Sequence, residues 1–354
     1  MSKLGTSIIV PGAGGTRPPR PVFPYFGNKS AIAPVVWHLI GQVRHYVEPF
    51  AGSLAVLMAR PRPFAGHETA NDASALLGNF YRAVTSDPDA VAEHADYPIS
   101  SCDLHARHAH LVANKDDLRE RLEGDPFWPG DPLLAGWYAW GLSSWIGSGW
   151  CTGDGSWHVV EQDGVRRLRF RPDADKDGLG IQRHRPHYGY QGVHRQGRRQ
   201  LLDDLRRLGE RLRYAHILCG DWLQAVGNNS ARESALFGAG SPCGVFFDPP
   251  YGADADRDMD VYEIDSGTVA ADVRAWCIDH GDDRRLRIVL AGYEGEHNEL
   301  EQRGWKVIKW STKGGYSTTG QGETRGKLNA LRERLWCSPH CVRVAREAVF
   351  FDDL

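Results

Sequence analysis

The sequence predicts an α/β fold: a nucleotide-type βαβ unit near the N-terminus, an insert where the strand–helix rhythm stops, and a second run of strands that completes the sheet. Three observations predict it. His45 to Asp72 runs strand, glycine turn, helix, strand and acid, the order of a nucleotide-binding βαβ unit. The rhythm is absent between about Tyr97 and Tyr214 and resumes after it. With 354 residues, 41% of them hydrophobic, the chain is long enough for one large α/β domain and a smaller inserted one.

Residues 1–21 are rich in Gly, Pro and Arg without periodicity and read as a flexible lead-in, so the domain begins near Val22. Tyr25-Phe26-Gly27-Asn28-Lys29 precedes a helix over Ala31 to Ile40 with Pro34 in its first turn, where backbone N–H groups and a lysine suit an anion. His45 to Phe50 reads as a buried strand, Ala51-Gly52-Ser53 as a tight turn, and Leu54 to Ala59 as a helix. Glu68 to Asp72 is a second strand and Ala73 to Val84 a second helix. Asp72 lies 20 positions after Gly52, the separation at which an acid on the second strand's tip meets a ribose hydroxyl.

Within the insert, Leu104 to Leu122 has helical character. Phe127 to Trp157 is dense in Trp and Gly, and its tryptophans are expected in a core more than on a ligand platform. Arg198 to Tyr214 is an amphipathic helix with Leu201, Leu205, Leu208 and Leu212 on one face; Arg199, Arg206 and Arg213 line another, expected to be solvated. After the insert come a strand over Ala215 to Cys219, the turn Gly220-Asp221-Trp222, a strand running into Asp248, and strands over Arg285 to Ala291 and Trp305 to Trp310. Residues 311–327 form a Gly/Ser/Thr-rich loop, read either as closing over a DNA backbone or as a hairpin tip.

The net charge of −3 conceals a local excess: Arg166 to Arg213 holds 14 Lys/Arg against 6 acids, a local +8. Arg183, Arg185 and Arg195 in its irregular half, with Lys313 and Arg325 in the later loop, are the candidates for phosphate and groove contacts. The seven cysteines are scattered, and neither a signal-type segment nor an apolar run near 20 residues is present, which predicts a reducing, intracellular setting and no membrane. Cys337, His340 and Cys341 crowd together, but no second Cys/His pair stands at finger-like spacing, so no metal is expected.

The richest segment is Val245 to Gly252, an apolar strand that delivers Asp248, Pro249, Pro250 and Tyr251 to one point. An exocyclic nucleobase amine is a poor nucleophile because its lone pair is delocalised into the ring. A carboxylate from Asp248 and the Pro249 carbonyl can each accept one N–H bond and draw that nitrogen toward a tetrahedral geometry. Two prolines stiffen the turn and bring no N–H of their own, and Tyr251 can stack on a base. Taken alone, the same residues also suit an ordinary strand-to-loop exit.

Taken in order, Tyr25 to Lys29, Glu48-Pro49-Phe50-Ala51-Gly52, Asp72, the insert, and Asp248-Pro249-Pro250-Tyr251 resemble the D12 class (Dam-like, α group) of site-specific DNA adenine N6-methyltransferases. The resemblance covers roughly Val22 to Asp96 and Ala215 to Leu354. It implies a Rossmann-like, class I S-adenosylmethionine-dependent methyltransferase sheet formed by 22–96 and 215–354, with a mostly helical or loop target-recognition domain at 97–214. It implies S-adenosylmethionine as donor: Tyr25, Phe26, Gly27 and Lys29 would contact it from the first loop, Glu48, Pro49, Phe50 and Gly52 would wrap its methionine part, Asp72 would bind its ribose and Asp221 would approach its adenine. Asp248 would stand where donor and target base meet. Phe26 and Asn28 replace smaller residues or glycine frequent in the first loop, and Leu54 replaces the second glycine of the donor loop. Double-stranded DNA is the implied partner, in a bacterial or phage-infected cytoplasm, with a cognate restriction enzyme not required for activity. Neither metal nor covalent intermediate is needed for methyl transfer from a sulfonium.

Three other readings share parts of this pattern. The same fold and donor acting on cytosine N4 meets the same nucleophilicity problem. A DNA-binding regulatory protein with little activity would show decay of Asp248, Asp72 or Lys29, and all three are present. A nicotinamide-dependent dehydrogenase accounts for the βαβ unit alone.

Overall fold

A computed structural model of the chain describes residues 21–23, 25, 29–145, 150–151, 157–163, 165–170, 198–227, 241–250, 268–310 and 332–342. Its centre is a seven-stranded, mostly parallel sheet of Rossmann-like type. The strands are β1 (His45–Glu48), β2 (His67–Asp72), β5 (Ala215–Cys219), β6 (Cys243–Phe247), β7 (Leu286–Tyr293), β8 (Lys306–Lys309) and β9 (Glu333–Cys337), ordered β5-β2-β1-β6-β7-β9-β8. The first five in that order run parallel, and β9 is antiparallel to both its neighbours. Chain order reverses between β1 and β6, so a crevice opens beyond their carboxyl ends, the place where such sheets bind ligands.

Parity along the strands divides the core into two layers. On β6, Cys243, Val245 and Phe247 face one layer and Phe246 the other; on β7, Leu286, Ile288 and Leu290 oppose Val289, Ala291 and Tyr293. A strand buried on both faces has no polar side, which is why β6 reads as an unbroken apolar run. The second layer is completed by α9 (Leu223–Val226), α10 (Val269–His280) and α11 (Asn298–Glu301). The first is covered by α1 (Ala33–Ile40), α2 (Ala55–Met58) and α3 (Ala75–Ser86), and beyond them α4 (Pro88–Ala95), α5 (Ser101–Ala113), α6 (Lys115–Gly124), α7 (Pro132–Ser144) and α8 (Arg198–Leu212).

Local chemistry fixes the helix starts. Ser74, Asp87, Ser100 and Asp131 each accept the N–H three residues on, and Pro88 and Pro132 follow two of these caps. Residues 97–214 are joined to the sheet's helical layer by one continuous core: Leu104, Leu134 and Trp140 pack with Leu205 and Leu208 onto the cluster that holds Leu77 and Phe80. Close approach makes this possible. A Cβ on Gly209 of α8 would lie 2.4 Å from the Val84 carbonyl of α3, and one on Gly136 of α7 would lie 2.5 Å from His94 of α4.

Most expected elements are present with ends shifted by a few residues; the Leu104–Leu122 helix is two, broken at Asn114. The expectations contained no β9, α4, α7, α9, α10 or α11, and no β in the insert. There, β3 (Trp157–Gln162) and β4 (Val165–Phe170) pair antiparallel from Trp157 opposite Phe170 to Gln162 opposite Val165. Trp140, Trp145 and Trp150 are buried, the core role expected of them. Arg206 forms an ion pair with Asp89 of α4 at 2.5 Å, while Arg207 and Arg213 pair within α8 with Asp204 and Glu210.

A buried charge cluster ties the end of α8 to β2. Glu68 is sealed from solvent between Arg60, at 3.1 Å, and Arg211, and the Phe64 ring lies under both guanidiniums. Arg60 also donates to the Val43 carbonyl at 2.6 Å. Removing the single anion leaves two buried cations without a counter-charge, so Glu68→Ala is expected to cost about 3–5 kcal/mol in denaturant unfolding. A loss below about 1 kcal/mol would mean that water reaches the guanidiniums.

Candidate active site

The carboxyl ends of β1, β2, β5 and β6 deliver four loops to the crevice. Asn71 knits three of them: its side-chain NH2 donates to the Pro49 carbonyl and to the Gly220 carbonyl, both at 3.0 Å. Nothing in the sequence singles out this asparagine, since its value lies in partners 22 and 149 positions away.

The loop after β1 turns sharply. Gly52 has φ +48, and a Cβ there would lie 2.7 Å from the Tyr25 ring, so Tyr25 packs over the loop where only glycine fits. Leu54, at the position of the family's second glycine, takes the left-handed conformation itself, with φ 61. A leucine there costs on the order of 1–2 kcal/mol, offset by complete burial of its side chain. Tyr81 of α3 donates its hydroxyl to the Gly52 carbonyl, and burial holds that phenol well above its usual range.

Asp72 ends β2 and accepts the Gly52 N–H through Oδ2 and the Ser74 N–H through Oδ1, both at 3.0 Å. The two backbone bonds fix the carboxylate at the strand tip, and a carboxylate is an acceptor of the kind that suits a pair of ribose hydroxyls. Asp221 is exposed at the tip of β5 with Oδ1 accepting the Leu223 N–H at 2.8 Å. Phe50 stacks on Trp222 at 6.1 Å between ring centres, an apolar wall beside these acids. Donor-set chemistry and cradle therefore fit a nucleoside-containing donor of the S-adenosylmethionine type, held by Gly52, Asp72, Phe50 and Asp221.

Glu48 closes β1 within the core. Its Oε2 accepts the Tyr46 hydroxyl at 3.1 Å and the Leu57 N–H at 3.0 Å. Burial outweighs both bonds and raises its pKa to about 8.

On the other side of the crevice, β6 ends at Phe247 and presents Asp248, partly exposed, followed by buried Pro249 and half-buried Pro250. The Lys29 ammonium lies 3.0 Å from Asp248 Oδ2, with only 5% of the lysine side chain and 18% of the aspartate exposed. Lys29 stands at the entrance to α1, where its carbonyl accepts the Ile32 and Ala33 N–H groups. The structure thus brings together Tyr25, Lys29, Glu48, Pro49, Phe50, Gly52, Asp72, Asp221, Asp248, Pro249 and Pro250 at the sheet's carboxyl edge. Phe26, Gly27, Tyr251, Arg183, Arg185, Arg195, Lys313 and Arg325 lie outside the described residues.

Residues 25–118 match the model of the D12 class N6 adenine-specific DNA methyltransferase family. The match begins at the tyrosine that packs on the loop after β1 and ends within α6, so it spans β1, β2 and both acids that close them. With the seven-stranded sheet, it supports an adenine-N6 DNA methyltransferase enzyme, which takes DNA as substrate. A search of curated proteins finds no match to the chain.

Among the described residues, no group of three or more His, Cys, Asp or Glu is placed to hold a metal ion, and no helix is long and apolar enough to cross a membrane. All seven cysteines are free thiols, and burial pushes Cys341 up to about 11 while its Sγ donates to the Ile288 carbonyl. His340 points to the Asp282 carbonyl at 2.9 Å.

The Glu48 environment makes a prediction about stability. An acid whose pKa is raised on folding holds a proton in the native state that the unfolded chain has released, so stability falls as pH rises from about 4.5 toward 8. Glu48→Gln retains an oxygen to accept both bonds and has nothing to ionise. Its denaturation midpoint is expected to fall less than the parent's between about pH 5 and 8. Parallel curves for the two proteins would mean that Glu48 ionises normally.

Proposed function

We propose that the chain transfers a methyl group from S-adenosylmethionine to the N6 amine of an adenine flipped out of a specific DNA sequence. The observation that carries this reading is the Lys29–Asp248 pair at the switch point, beside the Asp72–Gly52 loop and leading into Pro249-Pro250. When bound, the donor would supply an electrophilic methyl on a sulfonium and leave as a neutral thioether, and the proton released from the amine would pass to solvent.

The chain's own residues do the rest. Asp248 accepts one N–H of the target amine while Lys29 holds its other oxygen, and the Pro249 carbonyl accepts the second N–H. That geometry concentrates the lone pair toward the methyl group, a positioning and electrostatic contribution. Lys29 is thereby assigned to the acid more than to the donor. Tyr25, Phe26 and Gly27 would contact the donor, Glu48, Pro49, Phe50 and Gly52 would wrap its methionine part, Asp72 would take the ribose and Asp221 the adenine. Because an amine inside a duplex is out of reach, the base must leave the stack, and Tyr251 supports its face.

Residues 97–214 carry target recognition in this reading, with 22–96 and 215–354 as the catalytic unit. Arg183, Arg185 and Arg195, with Lys313 and Arg325, contact the DNA backbone and grooves. The enzyme works in the cytoplasm of a bacterial or phage-infected cell and needs no restriction enzyme for activity.

Asp248→Ala is expected to abolish methyl transfer, measured by mass analysis of nucleosides from treated DNA, while calorimetric binding of S-adenosylmethionine stays within a few-fold. Near-normal turnover would remove Asp248 from the chemistry. Tyr251→Ala is expected to weaken productive capture of the base by about 1–3 kcal/mol in kcat/KM; unchanged steady-state constants would take Tyr251 out of the site.

A further inference from the structure

We propose that Glu333, the first residue of β9, is a positioning residue that shares the Lys29 ammonium with Asp248 and so keeps the catalytic carboxylate only partly neutralised. The inference rests on the function proposed above.

Register and parity place Glu333 there. It pairs directly with Tyr293 across the antiparallel β7–β9 ladder, and directly opposed residues project from the same face. Tyr293 belongs to the α1-side layer, as do Leu335 and Cys337, two and four residues beyond Glu333. Lys29 stands on that face at the start of α1, over the ends of the strands from which Asp248 and Tyr293 emerge. Glu333 Oε2 is buried and has no hydrogen-bond partner among the described residues. Burial raises the pKa of this carboxyl; among the described residues Lys29 opposes that rise and Asp248 adds to it. Tyr293 feels the same lysine, and Arg332, which lies over its ring, and Glu296 are the other charged groups acting on it among the described residues; Glu48 feels Asp248 from β1.

A cation held by one carboxylate would withdraw much of the charge that Asp248 must offer to an amine N–H. A second carboxylate facing the same cation leaves the net charge of the three groups at one negative when both acids are ionised.

The test compares Glu333→Gln and Glu333→Asp with the parent on a methylatable duplex, beside calorimetric binding of S-adenosylmethionine and thermal unfolding. Glu333→Gln is expected to lower kcat at least tenfold with donor affinity and melting temperature unchanged. The acid limb of its kcat–pH profile should move to lower pH, because removing a neighbouring negative charge makes the remaining carboxylate harder to protonate. Glu333→Asp should restore the limb. A folded Glu333→Gln protein with the parent's kcat and limb overturns this inference alone. A parent that binds donor and DNA yet methylates nothing overturns the proposed function instead. If Glu333→Gln melts early, its limb is read below its melting temperature: a limb moved to lower pH upholds the inference, and one at the parent's position overturns it.

Discussion

A lysine ammonium taken almost wholly out of water requires a carboxylate within reach, and the Lys29–Asp248 pair meets that need where the sheet changes direction. The pair joins the segment before α1 to the end of β6, two parts of the chain more than 200 positions apart. Everything around it follows from holding those ends together. Four positions before Lys29 in the chain, the ring of Tyr25 covers Gly52, so Lys29 meets the end of β6 and Tyr25 the loop after β1.

The remaining loops are held by hydrogen bonds that cross strand tips. Asp72 receives the N–H of Gly52, Asn71 reaches the loops after β1 and β5, and Tyr81 binds the Gly52 carbonyl from below. Three strand tips bonded this way need no ordering when a ligand arrives. The site also tolerates a local fault: Leu54 adopts a left-handed backbone that a glycine would take without strain, because its side chain is fully buried.

The division of the chain is less sharp in space than in composition. The strand–helix rhythm stops at about Tyr97, yet α5 to α8 lie in the same core as α3 and contribute Trp140 and four leucines of α8 to it. Arg206, counted within the basic stretch, is engaged by Asp89, so local net charge overstates how many of these cations are available to a phosphate. The family match ends at residue 118, inside this helical layer, and leaves Asp248 to be argued from geometry.

By itself the sequence determined the fold class, the strands that form the crevice and the acids at their tips, because each depends on contacts near in the chain: unbroken apolar runs for strands buried on both faces and glycine at a tight turn. Only the tertiary structure decided which groups share a charge or a hydrogen bond across the site. Lys29 reads as an anion or donor contact until α1 and β6 are packed and Asp248 appears beside it. Glu333 is one acid among 45 Asp and Glu until the β7–β9 register sets it against Tyr293 on the α1 face. Period-two burial is written locally; register, crossover and the pairing of buried charges depend on residues far away in the chain, and no local pattern records them.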